Sequence, residues 1–293
     1  MSVREGADNP ASFHLLDSLL MPKQREAAAA VPAVAGTAAF SKFMHVLQIV
    51  ADAAEPMTMT RLVHASGYPR PTVHRIVAAL TAEGLVAERP GGSGYGLGPR
   101  LLQLASRSWG RSELRLAAVD ELKRLRDVTG ETVHLAVPSG SLMVYIEKLE
   151  SPSAVQMSSR IGTTVCLHAT AVGKAFLAQL GEAERERLLD GLAMPVYTEK
   201  TLTKLPALRK QLDITRERGW SMDDEEHEPG IQCYGAAVLG ADGAPLAAIS
   251  VTTLRFRAKE DTQAAYVQPL LAACKAISAH IAAMPSLASA RMV

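Results

Sequence analysis

The sequence predicts an α+β protein, with an N-terminal winged helix-turn-helix, a linker helix, and a larger α/β domain on a mostly antiparallel sheet. Two observations carry this. Between Ser41 and Arg100, three blocks with apolar residues at helical spacing are set apart by short punctuation and followed by a hairpin-like run. From Glu131 the apolar period becomes two, with tight-turn residues between runs and helical blocks interleaved.

A chain of 293 residues, 48% apolar and 21% charged, has a globular composition with room for two ordinary cores. Its formal net charge is +1, so affinity for nucleic acid must reside in a local patch. Cys166, Cys233 and Cys274 lack the paired C-x-x-C spacing of a zinc or redox site, which points to a reducing cytoplasm and to no metal or cofactor. Apolar segments are interrupted short of the about eighteen residues a membrane span needs, and the N-terminus lacks a basic-then-apolar leader. No membrane partner is expected.

Residues 1–38 combine Gly6, Asn9 and Pro10 with an alanine-rich run broken by Pro32 and Gly36, the composition of a loosely ordered arm. From Ser41, the positions Phe43, Val46, Leu47 and Val50 mark an amphipathic helix ending near Ala54. Thr58 is placed to cap a shorter helix that carries Leu62 and Val63 to Ser66. In GYPRP, Gly67 can take the left-handed conformation that ends a helix, and Pro69 or Pro71 can open the next without losing a needed amide. The third helix runs from Pro71 to Glu83 on the stripe Val73, Ile76, Val77 and Leu80, and Gly84 caps it. LVAERPGGSGYGLG then reads as a two-stranded wing with Pro90, Gly91 and Gly92 at its tip.

Three helices and a hairpin in this order describe a winged helix-turn-helix. Between residues 58 and 100 the cations are Arg61, Arg70, Arg75, Arg89 and Arg100, against Glu83 and Glu88, so the segment is positive within a neutral chain. Arg70, Pro71, Thr72, His74 and Arg75 surround the start of the third helix, where a recognition helix reaches base edges and phosphates. Arg89 sits in the wing, placed to meet backbone phosphate. A small helical domain with solvated arginines is the alternative.

From Pro99 a connecting helix runs to a break at Gly110, and a second continues to Val128. ETVHLAVPSGSLMVYIEKLE gives two strands around a Pro-Ser-Gly-Ser turn. Helices follow near Ala171 to Leu180, Glu182 to Leu189 and Leu205 to Arg218, and a last one fills residues 261–283. QCYGAAVLGADGAPLAAISVTT is two alternating runs joined at Asp242-Gly243, the strongest short hairpin signal in the chain. A two-residue turn there pairs Leu239 with Leu246, Ala237 with Ala248, Gly235 with Ser250 and Cys233 with Thr252, all on one face. Tyr234, Ala236, Val238, Ala247, Ile249 and Val251 take the other face, which is core. The first face ends in a thiol, a glycine and two hydroxyls, groups small enough to leave a hollow.

Thr170 is a fair N-cap for the helix that begins at Ala171, and Ala171, Val172 and Gly173 leave its first amides open to an anion such as a carboxylate. The acidic run DDEEHE, residues 223–228, adjoins the hollow, with Asp223 turned inward as an acceptor for ligand hydroxyls and others solvated. Taken singly, each feature also has a packing explanation. Cys166, His168 and Cys233 lack four-ligand zinc spacing, His134 and His168 read as satisfied core histidines, and no segment resembles a hydrolase nucleophile turn. No catalytic residue is expected.

The segments YPRPTVHRIVAALTAEGLV with GYGLG, LHATAVGKAFLA, and GWSMDDEEHEPGIQC followed by LAAISVT, in this order and spacing, resemble the IclR family of bacterial transcription regulators over residues 40–283. The resemblance implies a GAF-like effector domain and a homodimer or dimer of dimers that binds double-stranded operator DNA. It places a small organic-acid effector among Met157, Ala171, Asp223, Cys233, Ser250 and Thr252. VQMSSRIG, ETVHLAV, VYIEKLES and TLRF are most similar to repressors of hexuronate and 2-keto-3-deoxygluconate catabolism. Thr252 departs from the serine common at its place, and Pro71 from the usual serine of the third helix. The implied division is an arm over 1–38, a reading head over 39–98, a linker helix over 99–111 and an effector domain over 112–285. Activation rather than repression, and an aromatic or short 2-oxo acid as effector, stay open on sequence alone.

Overall fold

The computed structural model describes residues 36–92, 94–109 and 113–284, so the expected arm falls almost wholly outside the described residues. The head consists of α1 (Ala38–Asp52), α2 (Met59–Ser66), α3 (Arg70–Ala82), β1 (Val86–Glu88) and β2 (Tyr95–Leu97). Each boundary has a local cause. Thr58 Oγ1 accepts the Arg61 amide at 3.3 Å, satisfying one of the donors that a helix start leaves without a partner. Gly67 ends α2 in the left-handed region at φ 69°, and Pro71 occupies the first turn of α3, where no amide hydrogen is needed. Val46, Val50, Leu62, Val73, Ile76, Val77 and Leu80 close the three helices on one core.

Beyond α4 (Pro99–Trp109) and α5 (Glu113–Thr129) the chain builds one six-stranded sheet. Its strands are β3 (Thr132–Ser139), β4 (Leu142–Leu149), β5 (Thr164–Cys166), β6 (Ser221–Asp224), β7 (Ile231–Leu239) and β8 (Pro245–Leu254), in the spatial order β5-β4-β3-β8-β7-β6. Every neighbouring pair is antiparallel. Helices α6 (Ala171–Gln179), α7 (Glu182–Leu189) and α8 (Leu205–Arg218) lie between β5 and β6 in the chain, and α9 (Gln268–Ala282) follows a π-helical turn over Gln263–Val267.

Alternation assigns the two faces. Val133, Leu135, Tyr234, Ala236, Val238, Ile249 and Val251 pack with Leu122 and Leu125 of α5 and Leu270 and Ile277 of α9. On the opposite face Ala136, Met143, Val165 and Ala248 meet Val172 and Phe176 of α6 and Leu208 and Leu212 of α8. That second cluster stops at Ala136 and Ala248. Further along the same face stand Thr132, His134, Ser250, Thr252 and Cys233, which belong to neither apolar cluster.

Three of the four expected hairpin pairs are present: Ala237 with Ala248, Gly235 with Ser250, and Cys233 with Thr252. The fourth is not, because Leu239 faces Pro245 rather than Leu246. Gly240 accepts the Gly243 amide and donates to Ala244 O, so the loop is longer than a two-residue turn, with Gly243 left-handed at φ 78°. The extra length is absorbed in a bulge between Val238 and Leu239. The β3–β4 turn is tighter than the spacing predicts: Ser139 faces Leu142, so Pro138 and Ser139 belong to the strand and Gly140-Ser141 make the bend. Strand β6 is not predicted at all, since its polar residues resemble a turn.

Gly235 does not widen a hollow, as its smallness suggests; it admits a helix. A Cβ there would lie 2.5 Å from the Ala171 carbonyl oxygen and 2.7 Å from Ser221 Oγ, so α6 rests on bare backbone at this point. Gly235→Ala is expected to lower stability by about 1–3 kcal/mol, the usual cost of overpacking a fixed contact. An unchanged thermal midpoint would show that the contact has room to relax.

Candidate functional site

In the head, Arg70, Pro71, His74 and Arg75 are exposed on or near the first turns of α3, and Thr72 is half-buried. Arg89 is exposed in the wing, with its guanidinium across Gly96, where a Cβ would stand 2.6 Å from Nε. The cations are not equivalent. Arg100 pairs with Glu83 and also donates to the Glu83 carbonyl, and Arg61 lies 3.8 Å from Glu55. Arg70, Arg75 and Arg89 have no ion pair among the described residues, which leaves their charge available to an anion.

In the larger domain the sheet register brings three predicted residues, Asp223, Cys233 and Thr252, into one row, with Ser250 two positions along β8 on the same face. β6 pairs Asp223 with Cys233, β7 pairs Cys233 with Thr252, and β3 pairs Thr132 with Thr252 and His134 with Ser250. Ser250 is only 2% exposed, and its hydroxyl makes no hydrogen bond among the described residues. Thr252 Oγ1 donates to Cys233 Sγ at 3.3 Å. Burial pushes the Cys233 thiol well above its usual range, and the Asp223 carboxylate adds to the effect. A thiol held in this way is a weak nucleophile.

Helix α6 forms the adjacent wall because Ser221 Oγ donates to the Ala171 carbonyl at 2.6 Å, tying its first residue to β6. Thr170 caps it as expected, and its hydroxyl accepts the Gly173 amide at 3.2 Å while donating to Cys166 O at 2.6 Å. The Gly173 amide is therefore occupied, contrary to the expectation that all three first-turn amides stay open. Gly173 is small for a packing reason, since a Cβ would meet the Leu167 backbone at 2.5 Å. The Ala171 and Val172 amides have no partner among the described residues, so the anion-attracting end of α6 rests on those two. The Val172 side chain itself is core.

The acidic run divides sharply. Asp223 is 3% exposed, and its Oδ1 accepts the amides of Glu226 at 2.7 Å and His227 at 3.3 Å. Glu226 is also buried, against Lys174 of α6, whose side chain is 1% exposed. Asp224 and Glu225 turn outward to Lys200 and Arg255, and Glu228 is exposed. His168 Nε2 lies 3.0 Å from Pro195 O, and among the described residues no three His, Cys, Asp or Glu side chains are grouped to hold a metal ion.

Burial pushes the Asp223 carboxyl up to about 7, with Lys174 drawing it back down. A carboxyl raised in the folded state binds its proton there more tightly than in the unfolded chain. Its contribution is therefore complete below the unfolded value of about 4 and lost as pH rises through 7. Asn at this position keeps the Oδ1 acceptor for both amides but cannot ionise. Urea titrations are expected to show wild type losing stability relative to Asp223→Asn between about pH 4 and 7, on the order of a few kcal/mol. A pH-independent difference would contradict an elevated Asp223.

Sequence reasoning misses the far wall. His134 is 2% exposed and stacks on Tyr145 with centroids 4.4 Å apart. Its Nε2 lies 2.8 Å from Ser159 Oγ, and its Nδ1 is 3.5 Å from Thr252 Oγ1. Lys148 Nζ donates to the carbonyls of Met157 and Ser159, both at 2.8 Å, holding the 150–163 segment over this end of the row. Met157 is buried there, bonded to Lys148 through its backbone carbonyl. The period-two run ETVHLAV does place His134 on a strand with Thr132, but only the β3–β8 pairing, distant in sequence, brings it to Thr252.

A winged helix-turn-helix with unpaired arginines, followed by an α/β domain whose sheet face sets hydroxyls and the buried Asp223 near two open helix amides, defines a DNA-binding regulator that responds to a small ligand. Residues 40–90 match the family model described as IclR helix-turn-helix domain, and residues 107–279 match the one described as Bacterial transcriptional regulator IclR C-terminal. The chain belongs to the IclR family of transcriptional regulators. It is 33% identical over 235 residues to the HTH-type transcriptional regulator XynR of Escherichia coli, covering 80% of this chain and 93% of that one. It is 30% identical over 258 residues to the transcriptional repressor IclR of the same organism, covering 87% and 94%. Among solved structures, Thermotoga maritima IclR superposes with a TM-score of 0.70 at 28% identity, over 83% of this chain and 98% of that one.

Proposed function

We propose that the protein is a cytoplasmic repressor of an operon for sugar-acid or related organic-acid catabolism, released from its operator by a small carboxylate. The head over 39–98 reads DNA: Arg70, Thr72, His74 and Arg75 enter the major groove beside Pro71, and Arg89 holds phosphate. The linker over 99–111 transmits the signal from an effector domain over 112–285. Two heads in a homodimer, or pairs of them in a dimer of dimers, read an inverted repeat with half-sites about one helical turn apart or a multiple of it.

The observation that carries this reading is the row Asp223, Cys233, Thr252 with the unpartnered Ser250 hydroxyl, set against the open Ala171 and Val172 amides. The effector carboxylate docks on those amides, its neighbouring oxygen meets Ser250 and Thr252, and its distal hydroxyls donate to Asp223. Binding rather than catalysis is favoured because Thr252 separates His134 from Cys233, and the thiol stays protonated.

The test is a fluorescence-anisotropy titration with DNA from upstream of the protein's own gene, with and without 2-keto-3-deoxygluconate, D-glucuronate, pyruvate or 4-hydroxybenzoate. Sequence-specific binding weakened by one of the aliphatic acids is expected, with a coupling of roughly 5- to 150-fold. Binding that is salt-sensitive but indifferent to sequence would leave only nonspecific affinity, and release by 4-hydroxybenzoate alone would move the effector class to aromatic acids.

A further inference from the structure

Beside the proposed effector site, two buried acids share one buried base. Asp223 is 3% and Glu226 7% exposed, and the ammonium that bonds Glu226 belongs to Lys174, 1% exposed. The other buried glutamates among the described residues each have a cation of their own, Glu131 with Arg257 at 2.6 Å and Glu147 with Arg115 at 2.7 Å. At Asp223 and Glu226 the acids outnumber the bases two to one.

The surrounding groups do not make up the difference. On β6 and the turn after it, Asp224 and Glu225 face outward to Lys200 and Arg255, Glu228 is exposed, and His227 packs its ring against Tyr197. On β7 the Cys233 thiol is held protonated, and ahead of α6 burial lowers His168. Of these only His227 can add positive charge near neutrality, and only by taking a proton itself. A carboxylate with neither water nor counter-charge takes up a proton rather than stay ionised. An oxygen is ready for it: Asp223 Oδ1 accepts two amides and Glu226 Oε1 meets Lys174, while Glu226 Oε2 is buried with no partner among the described residues. Burial accordingly raises both acids and Lys174 opposes it in each, so their titration belongs to the pair.

We infer that Asp223 and Glu226 hold one exchangeable proton between them, and that an effector carboxylate is captured together with that proton. The inference rests on the effector site proposed above. The Ala171 and Val172 amides lie close to the pair, because Ser221 Oγ bonds the Ala171 carbonyl and Asp223 is two residues further along β6, about 7 Å at the usual rise. A third negative charge at that distance, against one ammonium, favours the protonated pair. In acid the pair already holds its proton and binding exchanges none. Above neutrality the free pair has lost it, so binding draws one from the buffer and affinity falls as pH rises. Release from the operator then needs more effector in alkaline conditions.

Calorimetric titration of the full chain with D-glucuronate, 2-keto-3-deoxygluconate and pyruvate, in buffers of low and high ionisation enthalpy, counts the protons exchanged. An acid that binds is expected to take up roughly 0.3–0.8 proton at about pH 8 and almost none at about pH 5.5, its affinity dropping up to about tenfold per pH unit above 7. Glu226→Gln keeps a partner for Lys174 and leaves one acid to one base, so uptake should vanish and affinity become nearly level between about pH 6 and 8. Binding at pH 8 without uptake in wild type, or uptake unchanged in Glu226→Gln, would overturn the inference while the pocket stands. If none of the three acids binds, the pocket falls and capture with a proton falls with it. Carbon-13 spectra of the ligand-free protein read the shared proton independently: one carboxyl of the pair still protonated near about pH 6 is required, and two ionised carboxyls there refute the inference.

Discussion

Lys174→Met is expected to lower the unfolding free energy by about 3–5 kcal/mol, the usual consequence of removing one member of a buried ion pair. Lys174 is 1% exposed and bonds Glu226, whose other oxygen, Oε2, is buried without a partner among the described residues. Losing the ammonium leaves a carboxylate with neither water nor counter-charge. Burial already raises Glu226, Lys174 opposing it, so in the variant the acid escapes the penalty by taking a proton. The loss should accordingly be larger at pH 8 than at pH 5, and Lys174→Met with Glu226→Gln should recover part of it. Equal losses at both pH values in urea titrations would show that Lys174 acts by packing its stem rather than by charge.

Arg75→Ala is expected to weaken operator binding by roughly 5- to 150-fold, the range of one specific side-chain contact to DNA. The informative control is the pair of arginines already engaged. Arg61→Ala and Arg100→Ala remove formal charge from the same segment, yet Arg61 faces Glu55 and Arg100 bonds Glu83, so each substitution also frees a carboxylate. Arg75 has no such partner among the described residues. If all three variants weakened binding alike in anisotropy titrations, the head would be acting through total charge and the orientation of α3 would be irrelevant.

What the sequence discloses follows the range of the interaction concerned. Thr58, Gly67, Thr170 and the β7–β8 pairs depend on residues a few positions apart, and they are legible. A slip arises where one left-handed residue, Gly243, changes the loop length and moves Leu239 opposite Pro245. The inward turn of Asp223 is legible too, but Glu226 cannot be separated from its exposed neighbours, because its partner Lys174 is 52 positions away. His134, Tyr145, Lys148 and Ser159 are invisible as a group for the same reason: only the β3–β8 and β3–β4 pairings bring them to the row. Gly235 and Gly173 stand out in the sequence for smallness, but whether a gap or a neighbouring backbone fills the space depends on where α6 lies.

The six-stranded sheet ends on one side in β5, three residues long, and on the other in β6, four residues long. Lateral growth by strand addition needs a longer unpaired ladder than either margin offers, and the outer strand also bears Asp224, neutralised locally by Lys200 and Arg255. The homodimer proposed above would therefore be joined through side-chain surfaces rather than by extension of one sheet into another. The same short margins offer little template for edge-to-edge aggregation.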